Sequence, residues 1–235
     1  MMMSLRRMNA ILIKDWKDLL KNSYILFTLA MPLVFSAWIG SRQDVNAYSA
    51  VILVNLALVI TACFVQAAMV AEEKEKSTLR GLLLSPASTI EILIGKSALT
   101  AILTILIIAG SVLLGGITVP AIGISVLNIL LCLIIYVVGG TLLGLLSRTV
   151  METSIIGMPI MLLIGMGGII KSVIENDTLK TLISYLPNDQ FEQIWLALDK
   201  GKSFSDVGSH FLILVAWAIG VLVITIIVYR KRQFD

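Results

Sequence analysis

The sequence predicts an all-α, polytopic membrane protein with six transmembrane helices, an N-terminal interfacial amphipathic helix and short outer helices between spans five and six. Three observations predict it. Of 235 residues, 58% are hydrophobic and 14% charged, against about 25% charged in a soluble domain. That leaves too few polar side chains to coat a globule of this size. The apolar residues fall in six runs, most of them close to the roughly 20 residues that cross a bilayer as helix. The 18 basic residues also divide unevenly between the connecting segments, as membrane topology demands. The same counts exclude disorder and a disulfide scaffold. The formal charge of +3 points to topology and to no nucleic-acid partner.

Residues 4–22 are the interfacial helix. Leu5, Met8, Leu12, Trp16 and Leu19 share one face, and Arg6, Arg7, Lys14, Lys17, Asp18 and Lys21 the other. The lysines and arginines would meet headgroups and Trp16 the acyl boundary. The basic start precedes an apolar run that begins only after Asn22, which is not the order of a cleaved signal peptide.

Spans are expected at about 23–40, 49–71, 89–114, 124–146, 154–170 and 209–229. Pro32 predicts a kink in the first. Asn55 and Gln66, inside the second, belong to a helix interface or a substrate path. Gly140 with Gly144, Ser111 with Gly115, and Ser36 with Gly40 have the spacing of close helix contacts. Gly157, Pro159, Gly165, Gly167 and Gly168 make the fifth span the most irregular. Cys63 and Cys132 lie in apolar runs as small hydrophobes, and His210 has no companions for a metal site. With the N-terminus inside, 13 of the 18 basic residues are cytoplasmic. Arg42, Lys171, Lys180, Lys200 and Lys202 remain outside, and both termini are cytoplasmic.

Two connecting segments carry more than topology requires. In the loop 72–88, a charged helix is expected from Glu72 to Leu84, stopped by Ser85-Pro86. Glu72 and Lys76 have the favourable i,i+4 orientation, whereas Lys76 and Arg80 repel at the same spacing, so this face suits an acidic or polar partner. Leu79, Leu82 and Leu83 form its apolar side. Ser88 and Glu91 match a capping box. Gly95-Lys96-Ser97 imitates the end of a phosphate-binding loop, but Ile90 stands where the first Gly belongs and no strand precedes. Lys96 is expected to snorkel to the interface. In the loop 171–208, Asn188 is the expected N-cap of a helix. Phe191, Ile194, Trp195 and Leu198 share its apolar face, and Asp199, Lys200 and Gly201 end it. Leu179, Leu182, Ile183 and Leu186 form a similar face before Pro187, so two short amphipathic helices meet at a proline corner.

These residues resemble the coupling loop of ABC-2 type transporter permeases, the membrane-spanning subunits of ABC exporters. Glu73, Glu75, Thr78, Leu79, Ser85, Pro86, Ser88, Gly95 and Lys96 carry the resemblance, with Ser77 where the family often has Gly. The layout of the whole chain, including Leu186-Pro187, extends it. The resemblance implies one transmembrane domain over 1–235 that binds no cofactor and has no catalytic residues of its own. ATP and Mg would sit on a separate ABC ATPase subunit, docked through Glu72, Glu73, Glu75, Lys76, Thr78, Leu79, Arg80, Leu83, Ser85 and Pro86. A second permease copy or a homologous permease would pair with it in the lipid bilayer of a bacterial inner membrane. The outer helices would be re-entrant, with Pro187, Asp189, Phe191, Glu192 and Trp195 near an exit gate. Spans without buried charge suit a hydrophobic or amphipathic substrate, such as a drug, peptide or lipid-like molecule.

Other classes fit less of the chain. An ATP-independent channel or secondary carrier needs ionisable or exposed carbonyl sites near mid-membrane, and only the broken fifth span offers carbonyls. An intramembrane protease of the prenyl-processing type needs Arg where Ser77 stands and Phe where Asp206 stands, four residues before His210. A sensor or immunity factor on the same fold has no distinguishing residue.

Overall fold

The computed structural model describes residues 5–42, 45–76, 89–165 and 167–232. Among them the regular elements are all helical: α1 (Leu5–Leu19), α2 (Ser23–Gly40), α3 (Ala47–Glu75), α4 (Thr89–Gly115), α5 (Ile122–Leu146), α6 (Val150–Gly165), α7 (Gly167–Val173), α8 (Asp177–Ser184), α9 (Pro187–Asp199) and α10 (Phe204–Arg232). Five of these, α2, α3, α4, α5 and α10, are long and apolar enough to cross a membrane. Asparagines start three of the helices, because a short amide can accept from the first unpaired N–H groups. Asn22 accepts from the Ile25 N–H at 3.2 Å, Asn46 from Ser49 at 2.8 Å, and Asn176 from Thr178 at 2.9 Å.

Several boundaries depart from the sequence reading. The second span is longer than 49–71: α3 runs unbroken to Glu75, with a π-helical stretch over Leu58–Val65. Glu72, Glu73 and Glu75 therefore belong to the last turn of the span and do not begin a separate charged helix. The fifth apolar run is helical over α6 and α7, on either side of residue 166, which lies outside the described residues. The last span is longer than 209–229, as α10 begins at Phe204. Asn188 is not an N-cap. Leu186 occupies the cap and Pro187 the first helical position, where a missing N–H costs nothing. The end of α9 is as expected, with Gly201 at φ +77°.

α3 is the central helix. Its residues Val54, Ala57 and Leu58 are fully enclosed in a core shared with Cys132 and Tyr136 of α5, Phe191 and Trp195 of α9, and Leu214 of α10. Two glycines of α5 admit it. A Cβ on Gly140 would lie 2.3 Å from the Cys63 carbonyl oxygen, and one on Gly144 would lie 2.5 Å from that of Ala67. α2 and α4 meet in the same manner, since a Cβ on Gly40 would lie 2.4 Å from the Leu114 carbonyl oxygen. The nearby hydroxyls of Ser36 and Ser111 are buried. All three small-residue pairs thus lie at helix contacts. Outward-facing positions are apolar, among them Phe27, Leu113, Ile155 and Leu212, which is the surface a lipid environment stabilises.

Candidate functional site

At one end of the bundle, α1, the last turn of α3 and the first turns of α4 meet through charge. The Glu73 carboxylate bridges two ammonium groups, Lys14 from α1 and Lys96 from α4. Lys14 also lies 3.3 Å from Asp15 and 3.4 Å from Asp18. Glu73, Lys96 and Asp15 are 7%, 5% and 3% exposed, so these charges are desolvated and must compensate one another. Burial holds the Asp15 carboxyl above its ordinary range, opposed by Lys96 and Lys14. Glu72 pairs with Lys76 and accepts from the Asn22 amide at 2.7 Å. A cleft of about 140 Å³ lies among these side chains.

The same turn of α3 is tied to the next connection. Lys74 donates to the carbonyls of Leu145, at 2.7 Å, and Ser147, groups that the end of α5 leaves without intrahelical partners. Glu75 accepts from the Val150 N–H at 3.1 Å and so caps the start of α6. Ile11 of α1 packs directly on Gly95 of α4. The segment 77–88 therefore leaves and re-enters the fold at points fixed to α1, α4, α5 and α6.

Within the spans, Asn55 and Gln66 join helices. Asn55 donates to the Gly165 carbonyl at 3.0 Å and accepts from the Tyr136 hydroxyl at 3.2 Å. Gln66 donates to Thr141 at 3.0 Å and accepts from Thr100. One polar chain thus runs from α4 through α3 to α5. These two residues flank the π-helical stretch, a distortion that often marks functional segments of a helix.

At the opposite end, α9 is inserted into the bundle. Pro187, Asn188, Asp189, Phe191, Ile194, Trp195 and Leu198 are all buried. Asp189 pairs with Lys171 at 3.1 Å, Asn128 donates to the Phe191 carbonyl at 3.1 Å, and Gln190 meets His210 at 2.6 Å. Glu192 is half-buried against Gly168. Its own burial, with Asp189 adding, raises its carboxyl above the usual range, opposed by Lys171. The expected corner is present, but the two helices differ. In α8 only Ile183 is buried, while Leu179 and Leu182 face outward.

The structure brings Glu72, Glu73 and Lys76 together with Lys14, and Glu75 to α6. Pro187, Asp189, Phe191, Glu192 and Trp195 share one helix. Thr78, Leu79, Arg80, Leu83, Ser85, Pro86 and the Ser88 cap lie outside the described residues. The side chains of Arg6 and Arg7 likewise lie outside the described side chains. Two expectations are corrected. Lys14 turns to Glu73 and not to headgroups. Lys96 does not snorkel; it is enclosed with Glu73. The face of α1 packed on the bundle is Ile11, Asp15 and Leu19, while Trp16 and Lys17 are exposed. Sequence reasoning missed Asp15, Asn22, Thr100, Asn128, Tyr136 and Thr141. An acidic residue at i+4 from Ile11 and i−4 from Leu19 was the one available signal.

A sequence model described as ABC-2 family transporter protein matches residues 40–227. A search of curated proteins returns no match. The matched stretch holds α3, α4, α5 and most of α10, four of the five long apolar helices, together with α9. The chain is a multi-pass membrane protein belonging to the ABC-2 transporter family, as a permease-type transport domain.

Proposed function

We propose that this chain is the membrane-spanning subunit of an ABC exporter, paired with a second permease and driven by a separate ATPase that binds ATP and Mg. The observation that carries the reading is the charged junction. The residues that flank 77–88 are tied to the interfacial helix and to α4, α5 and α6, so a force passed to them is felt by the inner end of the bundle. Docking is assigned to that segment, through Thr78, Leu79, Arg80, Leu83, Ser85 and Pro86. Glu73 with Lys14 and Lys96 passes the movement on. ATP-driven closure of the motor would stabilise one of two bundle arrangements, which is how binding energy shifts such an equilibrium.

In this reading the α1 end is cytoplasmic, both termini lie inside, and the membrane is the bacterial inner membrane. α6 and α7 together make the sixth crossing, and α8 with α9 form the outer, re-entrant cap. The buried polar groups in mid-span are neutral, among them Asn55, Thr61, Gln66 and Thr104, which suits a hydrophobic or amphipathic cargo. The fifth apolar run gives an ATP-independent carrier little support, because its Gly165 carbonyl is already engaged by Asn55.

The test is co-purification with the ATPase and ATP-driven export. Glu75→Arg with Arg80→Glu should weaken the complex, while Glu75→Gln, which keeps an acceptor for Val150, should not. Survival of both complex and export in the double reversal would overturn the docking assignment. Flux through the isolated chain without ATP would overturn the motor.

A further inference from the structure

A groove of about 540 Å³ opens on the side of the bundle between α4, α5 and α10, within the range of roughly 300–1,000 Å³ typical of small-molecule sites. Its floor is α5, where Leu133, Val137 and Thr141 are buried, and its walls carry the more exposed Ile94 of α4 and Leu222 of α10. The lining is almost wholly apolar, and Arg230 is its one ionisable residue. Arg230 lies at the end of α10, on the same end of the bundle as the charged junction, and is exposed, as is Lys231. Lys14, Lys74, Lys76 and Lys96 at that end are engaged within the chain. Arg230 and Lys231 meet no carboxylate among the described residues.

We propose that this groove holds an acyl chain of an anionic phospholipid, with the lipid phosphate at Arg230. A slot walled by apolar side chains within the span and topped by an exposed guanidinium matches both parts of such a molecule. The guanidinium fork binds phosphate bidentately, and basic pockets between transmembrane helices recognise anionic headgroups. A second copy fits the site less well. A second copy seated in this groove about a two-fold axis along the membrane normal would bring the two Arg230 side chains face to face at one depth, where they repel. The bound chain would touch Thr141, the acceptor of the Gln66 amide, and so brace the polar chain that links α3 to α5. The inference depends on the transporter reading only in naming the leaflet as cytoplasmic.

The experiment is native mass spectrometry of the detergent-released protein with added phosphatidylglycerol or phosphatidylcholine of identical acyl chains. The wild type should retain phosphatidylglycerol preferentially. Arg230→Gln should cut that preference about fivefold, the size of one basic contact near an anionic headgroup. Leu222→Trp, at an exposed wall position, should lower retention of both lipids. Equal retention by the wild type, or an unchanged preference in Arg230→Gln, overturns the proposal. Conversion of dimer to monomer by Leu222→Trp with lipid retained would assign the groove to a second copy and also overturns it. Competition by glycerol phosphate, which has no acyl chain, would reduce the site to the arginine alone. No ATPase or transport enters the measurement, so it can fail or succeed independently of the proposed function.

Discussion

Glu73 is the most exposing single position in the junction. Glu73→Gln keeps the shape of the side chain and removes its charge, leaving the ammonium of Lys96, which is 5% exposed, without its ion-pair partner. Breaking a buried pair on one side costs about 3–5 kcal/mol. The lower figure applies, because Asp15 still attracts Lys96 and Lys14, with its side chain 36% exposed, can turn to water. For a chain of 150–250 residues each kcal/mol moves Tm by about 2–4 °C, so the variant should melt about 6–12 °C lower. The assay is thermal unfolding of the detergent-purified protein followed by circular dichroism. Adding Lys96→Met removes the second charge, and a pair deleted on both sides is near neutral, so the double variant should recover most of the loss. A Glu73→Gln melt within about 2 °C of wild type, or a double variant less stable than the single, would refute the argument that these charges compensate one another.

The glycine contacts make a matched pair of predictions: Gly140→Ala drives a methyl into the Cys63 carbonyl and should abolish a cooperative melt, whereas Gly123→Ala, with open space around it, should be neutral or stabilise by up to about 1 kcal/mol. Gln66→Met should cost about 1–2 kcal/mol, two intramembrane hydrogen bonds at roughly 0.6 each plus an imperfect fit, read as a Tm drop of a few degrees. Glu192 supplies the pH test: its carboxyl is raised above the ordinary 4.5, so its contribution is full below that pH and is lost as pH rises through the raised value. Tm measured from pH 4 to 8 should therefore fall less in Glu192→Gln than in wild type, and the variant should be the more stable at neutral pH. Asp189→Ala and Glu192→Ala should each reduce export, and unchanged transport would remove both from the exit gate.

Most of the bundle was legible because helices in lipid must satisfy their own backbone groups, so a long apolar run has one outcome. Leu133 to Val138 could hardly be anything else. The cap was legible for a different reason: Phe191, Ile194, Trp195 and Leu198 repeat with the helical period, and Pro187 sets the start. Boundaries were less legible where charge follows a span directly. Glu72 to Glu75 look like the start of a separate charged helix, yet partners on α1, α4 and α6 let the span continue through them.

Asn188 shows the same limit at a smaller scale. Its residue type favours a cap, but Pro187 before it is already suited to the first helical position, and the cap passes to Leu186. Lys14 and Lys96 were expected at the headgroups because each, taken alone, gains most from water. Only the approach of α1 to α4 across Gly95 places a carboxylate between them.

The sequence by itself determined that the chain is membrane-embedded and helical, and it carried the family resemblance, since these follow from hydropathy, period and local motifs. The tertiary structure alone decided which of its few charges face solvent and which are enclosed. It also decided that Asn55 and Gln66 bind helices together. The physical reason is that the state of a charge or an amide in a bundle depends on the groups brought to it from other helices, and the distance along the chain, 59 residues from Lys14 to Glu73, carries no local trace of that meeting.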